Sequence, residues 1–347
     1  MMNTTFPNIS KNETAQTFTQ LTLGGKAFTP GTSRVAVLGG GVMGPGITQV
    51  FAEAGFDVDL CELNAHALEK GLASLKESLQ LKVELGLITK ELALASLART
   101  TGNIGSDDAL KRANLVIEAV TENKAIKKEV YLRVQKLCNP DTVVWSNTST
   151  LDVFSLAESG MRERLVVAHW FAPPHIVPLV EVVGDPCTKN GLVDETVSLL
   201  KALGKTPVKL NKFVNGFVIN RLQRILGREV FYLLESGVIS AEDLDLAVRT
   251  SLAPRMQVLG VVQRCDYTGL NLSLRNLQDT DFIDAPVDPE PSILKTLVDD
   301  GHLGVTTGKG FYDYQGRSTL TLQRERDIRL WQVMQGLGDL VSDPKPI

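Results

Sequence analysis

The chain has 347 residues, enough for two domains rather than one small core. Hydrophobic residues make up 43% and charged residues 22%, the balance of an ordinary soluble globular protein. A net charge of -4 without any block of like charge argues against nucleic acid or an anionic membrane as a partner, and no apolar run approaches the ~18 residues of a membrane span.

Residues 1–33 differ from the rest. The stretch "MMNTTFPNISKNETAQTFTQ" is rich in Asn and Thr and poor in aliphatics, with neither an apolar signal core nor the Arg of a transit peptide. It reads as a loosely ordered N-terminal extension, and cytoplasmic localisation is the default expectation. Its three N-x-[ST] sequons, at Asn3, Asn8 and Asn12, are read as chance matches without a secretion signal.

From Arg34 the pattern alternates. "RVAVLG" (34–39), "DVDLCE" (57–62), "NLVIEAV" (114–120), "TVVWSN" (142–147), "LVVAHW" (165–170) and "PLVEVVG" (178–184) read as strands. Residues 64–86, 123–137 and 192–203 carry helical periodicity between them. Continuously apolar strands alternating with helices imply a doubly wound, mostly parallel sheet covered on both faces, an α/β domain over 34–211. After "TPVKLNKF" the strand signals stop. A long helical run covers 214–236, Ser240 opens a capping-box-like start, and a charged helix is predicted at about 319–336. Residues 212–347 therefore form an all-helical second domain.

Gly39, Gly41 and Gly44 in "AVLGGGVMGPGI" fit G-x-G-x-x-G between a predicted strand and a predicted helix. The first glycine permits the turn, the second admits a pyrophosphate to the backbone around Val42 and Met43, and the third lets helix pack on strand. The helix N-terminus favours the phosphate anion. Pro45 suits a first helical turn, where its missing N–H costs nothing. Glu62 ends the second strand, 18 residues after Gly44, where a carboxylate accepts the ribose hydroxyls and repels a 2′-phosphate. No Arg follows it. The reading is a Rossmann-type domain for NAD rather than NADP.

A dinucleotide site invites a search for an acid–base group. His169 ends the strand "LVVAH", and Glu181 lies in the next strand, where an unpaired carboxylate would be expensive. A His–Glu hydrogen bond would fix the imidazole tautomer and raise the basicity of its other nitrogen. The residues alone serve equally well as a structural pair. Ser149, in "SNTST", sits at another strand end; it suits a substrate oxygen or the N-cap of a helix over 151–158. The four scattered cysteines (61, 138, 187, 265) form no CxxC pair, and the four histidines have no metal-ligand spacing, so neither a disulfide framework nor a metal site is expected.

The segments "GGGVMGPGI", "VIEAVTENKAIKKEV", "SNTSTL", "HWFAPPHIVPLVEVV", "NGFVINRL" and "GHLGVTTGKGFYDY" together resemble the L-3-hydroxyacyl-CoA dehydrogenase family, in its order, across about 34–315. The resemblance implies a Rossmann-type domain, a helical domain that mediates homodimerisation, and reversible NAD-dependent oxidation of a 3-hydroxyl. It implies His169 as general base, Glu181 as its orienting partner, and Ser149 and Asn220 as hydrogen-bond donors to the reacting oxygen. It further implies that Glu122 and Lys127 contact the cofactor.

Two departures matter, the first for the cofactor and the second for the substrate, a small molecule in every reading. Ala172 stands where the family usually has a cofactor-binding Asn, with His175 nearby as a possible substitute or lesser base. Leu81 and Leu85 stand where acyl-CoA members carry phosphate-binding lysines; Lys76 and Lys82 are the nearby cations. The second departure, with "TSLAPRMQVLG" (250–260) and its Arg255 as a partner for a substrate carboxylate or an ordinary surface charge, resembles the branch acting on free hydroxy acids such as gulonate, carnitine or pyridine carboxylates. The 3-hydroxyacyl-CoA reading stands first and the free hydroxy acid is the alternative. A 6-phosphogluconate-type enzyme would leave His169 and Glu181 without a role. A non-catalytic NAD-binding protein would have no need of all four site residues.

Overall fold

The structure is a computed structural model that describes Phe18 and residues 21–338. Its residues divide into two units after Asn220. The first holds an eight-stranded sheet of β3 (Arg34–Leu38), β4 (Asp57–Glu62), β5 (Thr100–Ile104), β6 (Leu115–Glu118), β7 (Val143–Ser146), β8 (Leu165–Trp170), β9 (Leu179–Val183) and β10 (Thr206–Lys209). Their spatial order is β10-β9-β8-β7-β6-β3-β4-β5. All pairs are parallel except β8–β9.

The apolar runs explain the sheet. Every residue of β6, β7 and β8 is buried, because helices cover both faces. These include α1 (Gly44–Glu53), α2 (Ala65–Glu84), α3 (Lys90–Ala98), α4 (Asp107–Arg112), α5 (Lys124–Leu137), α6 (Ser159–Arg162) and α7 (Leu192–Ala202). Asn64 caps α2, Thr89 caps α3 and Asn123 caps α5 through their side chains. One apolar cluster joins Val35, Phe51, Trp145 and Leu199; another joins Ala36, Val116, Val144 and Phe217. The strand order reverses between β3 and β6, and in such sheets ligands bind beyond the carboxyl ends at that switch point.

The structure corrects three expectations. Residues 21–33 are not loosely ordered. β1 (Thr22–Leu23) and β2 (Lys26–Ala27) pair as a hairpin, and Glu195 of α7 accepts hydrogen bonds from Thr22 Oγ1 and the Gly25 amide. Phe28 stacks on Phe56 at 5.0 Å, and Phe18 meets the same ring edge-on. Three phenylalanines buried together explain why polar composition misled there. The sequons lie at residues 3–14, outside the described residues. Secondly, residues 151–158 hold only a 3-10 turn, Phe154–Leu156, and Ser149 caps no helix. Thirdly, the helical run at 214–236 begins later, as α8 (Ile219–Glu235), because Gly216 and Phe217 adopt left-handed backbone conformations.

The second unit is helical: most of α8, then α9 (Ala241–Ala247), α10 (Ala253–Leu259), α11 (Gln263–Thr268), α12 (Leu270–Gln278), α13 (Ser292–Asp299) and α14 (Thr319–Leu337). Ser240 caps α9 by accepting the Asp243 amide. Among the described residues, no helix is long and apolar enough to cross a membrane, and no cluster of His, Cys, Asp or Glu suits a metal ion.

Candidate active site

The glycine loop has the geometry its sequence implies. Gly39 has φ +111°, and a Cβ there would lie 2.4 Å from the Ala119 carbonyl oxygen. A Cβ on Gly44 would lie 1.8 Å from the Gly39 oxygen, so strand and helix meet with no room for a side chain. Nothing lies within 4 Å of a Cβ on Gly41, the open position where a ligand approaches the backbone. Val42 is largely exposed on the same turn, and Met43 precedes the first residue of α1. Pro45 falls in the first turn, as expected.

Glu62 reaches back to this loop. Its carboxylate accepts the amides of Gly40 at 2.9 Å and Leu63 at 2.7 Å. Glu62, Gly39, Gly41, Ser106, Val120 and Arg133 help line a cavity of about 300 Å³. Its size and its place at the switch point fit the adenosine half of a dinucleotide.

A polar column rises from the end of β6. Glu118 is fully buried, yet satisfied: Lys127 Nζ donates at 2.6 Å, Tyr131 at 2.9 Å and Ser146 Oγ at 2.6 Å. Burial and the Glu118 charge push the Tyr131 phenol well above its usual pKa, so it remains a donor. Lys127 also pairs with Glu122, Nζ to Oε2 at 3.2 Å. Lys127 is thus 1% exposed, and it meets two carboxylates rather than lining the cavity.

Glu122 organises the turn after β7. Its Oε1 accepts from Thr148 Oγ1 at 2.8 Å, the Ser149 amide at 2.9 Å and the Thr150 amide at 2.8 Å. Burial opposes its ionisation, but the Thr148 hydroxyl, the Lys127 charge and the Thr150 amide outweigh it and hold the carboxyl down at about 2. Ser149 is fixed from both sides, since Asn220 Nδ2 donates to its carbonyl at 3.1 Å. The structure therefore brings Glu122, Ser149 and Asn220 together.

His169 and Glu181 are direct cross-strand partners in the antiparallel β8–β9 pair, so their side chains emerge on one face. Nδ1 of His169 lies 2.9 Å from Glu181 Oε2. Glu181 Oε1 accepts the amides of Val218 and Ile219, each at 3.0 Å. Both acid oxygens are thus occupied in a buried pair, at 4% and 2% side-chain exposure. Nε2 of His169 makes no hydrogen bond among the described residues, which leaves it to accept a proton.

Sequence reasoning assigned no role to Glu118, Tyr131, Ser146 or Asn147. Asn147 Oδ1 accepts the Trp170 amide at 2.8 Å and ties the end of β7 to β8 beside His169. The signal for Glu118 was available, since an acid inside the apolar strand "NLVIEAV" needs a partner as much as Glu181 does. The departures also have places. Ala172 is exposed. Leu81 is buried on α2, Leu85 is its C-cap, and Lys82 is engaged with Glu53 at 2.6 Å. Arg255 donates to the carbonyl and hydroxyl of Ser251, four residues earlier.

Residues 34–213 match the model of the 3-hydroxyacyl-CoA dehydrogenase NAD-binding domain, and residues 216–314 match that of the 3-hydroxyacyl-CoA dehydrogenase C-terminal domain. The chain belongs to the 3-hydroxyacyl-CoA dehydrogenase family. It is an NAD-dependent oxidoreductase acting on CH–OH. Relatives in the family include 5-formyl-3-hydroxy-2-methylpyridine 4-carboxylate 5-dehydrogenase of Mesorhizobium japonicum, 34% identical over 85% of this chain and 95% of that protein. A probable 3-hydroxybutyryl-CoA dehydrogenase of Bacillus subtilis is 32% identical over 82% of this chain and 99% of that one. Among solved structures, the pyridine-carboxylate dehydrogenase, described as an NAD+-dependent dismutase, superposes with a TM-score of 0.77 at 31% identity, covering 88% of this chain and 98% of that one. The fold is the family's Rossmann-type sheet followed by a helical domain.

Proposed function

We propose that this dehydrogenase interconverts a 3-hydroxyl and a 3-ketone, with His169 as the general acid–base group. The observation that carries the reading is the buried His169–Glu181 pair with Nε2 unengaged. NAD bound at Gly39–Gly44 supplies the hydride acceptor. His169 Nε2 takes the hydroxyl proton, and Glu181 holds Nδ1–H so that the imidazole presents the correct tautomer and its imidazolium is stabilised. Ser149 and Asn220 steady the oxygen as charge develops on it. Glu122 holds the Ser149 turn in place, and Lys127 keeps Glu122 ionised. Glu62 and the glycine turn bind the adenosine end and discriminate against a 2′-phosphate.

The first reading of the substrate is a 3-hydroxyacyl-CoA thioester, supported by both family models and by relatives named 3-hydroxybutyryl-CoA dehydrogenase. A second reading, a free hydroxy acid, is favoured by a specific observation. The C-terminal part of α2 offers buried Leu81 and a Lys82 already paired with Glu53, rather than free cations for CoA phosphates. The pyridine-carboxylate relative supports it. Initial rates of NADH oxidation with acetoacetyl-CoA and with free acetoacetate separate the two.

The family resemblance extends to a homodimer. Among the described residues of the second unit, only Ala285 and Asp327 are buried, while Val262, Leu277 and Ile283 are about four-fifths exposed or more. Exposed apolar side chains on a unit with so few buried residues support an interaction face, and a second copy of this chain is the occupant the family implies. Sedimentation equilibrium at twice the mass of one chain supports this; a monomer refutes it.

A further inference from the structure

We propose that Phe217 is a positioning residue for the His169–Glu181 pair: its backbone aims two amides at Glu181 while its ring seals the imidazole from water. This rests on the reading of His169 as the base. The residue is unusual on two counts. Phe217 has φ +48°, in the left-handed region that a bulky L side chain avoids. It is also fully buried, so the conformation is imposed by its surroundings. Gly216, directly before it, takes φ +75° at no such cost. Glycine at 217 would relax the backbone, so the aromatic ring is kept against the local preference, and the ring is where its use should be sought.

The geometry shows that use. The Phe217 amide donates to the Val214 carbonyl and closes a tight turn. The two left-handed residues then swing the chain so that the next two amides, of Val218 and Ile219, both point at Glu181 Oε1. Without them, that oxygen would be a buried acceptor with no donor, which is costly. With Oε1 anchored by both amides, Oε2 stays aimed at Nδ1 and holds the tautomer His169 needs. The ring completes the arrangement. It lies 5.1 Å from the imidazole, at 35° between planes, and the Phe171 ring lies 4.4 Å from the imidazole as well. Phe213 backs the Phe217 ring edge-on. Excluding water from the pair strengthens the Nδ1–Oε2 hydrogen bond.

The backbone and ring contributions separate by substitution. Phe217→Gly keeps the left-handed turn and removes the ring; Phe217→Leu keeps apolar bulk. Proton NMR of the resting enzyme follows the downfield Nδ1 proton of His169, which needs no substrate, so an unexpected substrate leaves this test intact. In F217G the resonance is expected to broaden through exchange with water. Turnover should fall by about tenfold to a hundredfold, as expected when a catalytic group loses its orientation, while the KM for NADH stays unchanged, because Phe217 lies outside the cofactor cavity. F217L is expected to keep the resonance and most of the turnover. A sharp resonance and wild-type turnover in F217G overturn the proposal, as does loss of NADH binding in step with turnover. If F217G does not fold, Phe217→Ala decides: loss of the resonance in a folded F217A supports the proposal, and a sharp resonance with wild-type turnover refutes it.

Discussion

Replacing Glu122 by Gln should destabilise the protein in a manner that fades with acid. The substitution keeps an acceptor facing the amides of Ser149 and Thr150 but removes the charge that faces Lys127. Holding the carboxyl at about 2 rather than 4.5 corresponds to ~3.4 kcal/mol if no screening operated. The side chain is 34% exposed, so solvent screening reduces the expected loss to ~1–2 kcal/mol. The sign follows from linkage. The carboxyl is more acidic when folded than when unfolded, so its contribution is complete above pH 4.5 and disappears as pH falls towards about 2. Urea unfolding of wild type and E122Q, followed by tryptophan fluorescence, should differ by this amount at pH 7 and at pH 5. The gap should narrow at pH 3.5 and nearly close at pH 2.5. Equal stability at pH 7, or a gap independent of pH, refutes the assignment of Glu122 as the charged clasp of the Ser149 turn.

Other substitutions test other parts of the structure. Phe28→Ala should cost ~3–5 kcal/mol, the range for a buried phenylalanine, and leave KM unchanged, since Phe28 packs on Phe56 away from the site; a midpoint shift in urea checks it. Lys205 is buried against Trp170 and donates to the Pro174 and Val177 carbonyls at 2.5 and 3.1 Å, which clamps the β8–β9 loop. Burial, with the Lys82 charge, lowers its pKa to about 7, below that of an unfolded lysine. Wild-type stability should therefore rise with pH between about 7 and 10, by at most ~1.4 kcal/mol per pH unit, relative to K205M. Parallel curves for the two would contradict the buried ammonium. His169→Gln should lower the rate of NADH oxidation by about a hundredfold to ten-thousandfold while NADH still binds, as fluorescence titration would show.

The parts of the fold written in side-chain pattern were readable in advance. Six strands fell where β-branched runs lay, and the glycine loop declared its turn because only glycine tolerates the contacts at Gly39 and Gly44. The exposed edge strand β5, "TTGNI", escaped notice because it lacks an apolar run. The N-terminal hairpin escaped because its core contribution rests on isolated phenylalanines that composition averages away. The His169–Glu181 pairing was open from sequence alone; it follows from antiparallel register, which no local pattern encodes. The same holds for Lys127, a charged residue that is buried because Glu118, nine positions earlier, waits beneath it. Phe217 was hidden most completely, since its function depends on a backbone angle.

The most direct test follows NADH absorbance with acetoacetyl-CoA and free acetoacetate side by side, using wild type and H169A. NADH oxidation by wild type with at least one of the two, abolished in H169A while NADH still binds, is the result this account predicts; activity with the thioester supports the first reading of the substrate, and activity with the free acid alone supports the second. Turnover that persists undiminished in H169A would contradict the assignment of His169 as the acid–base group.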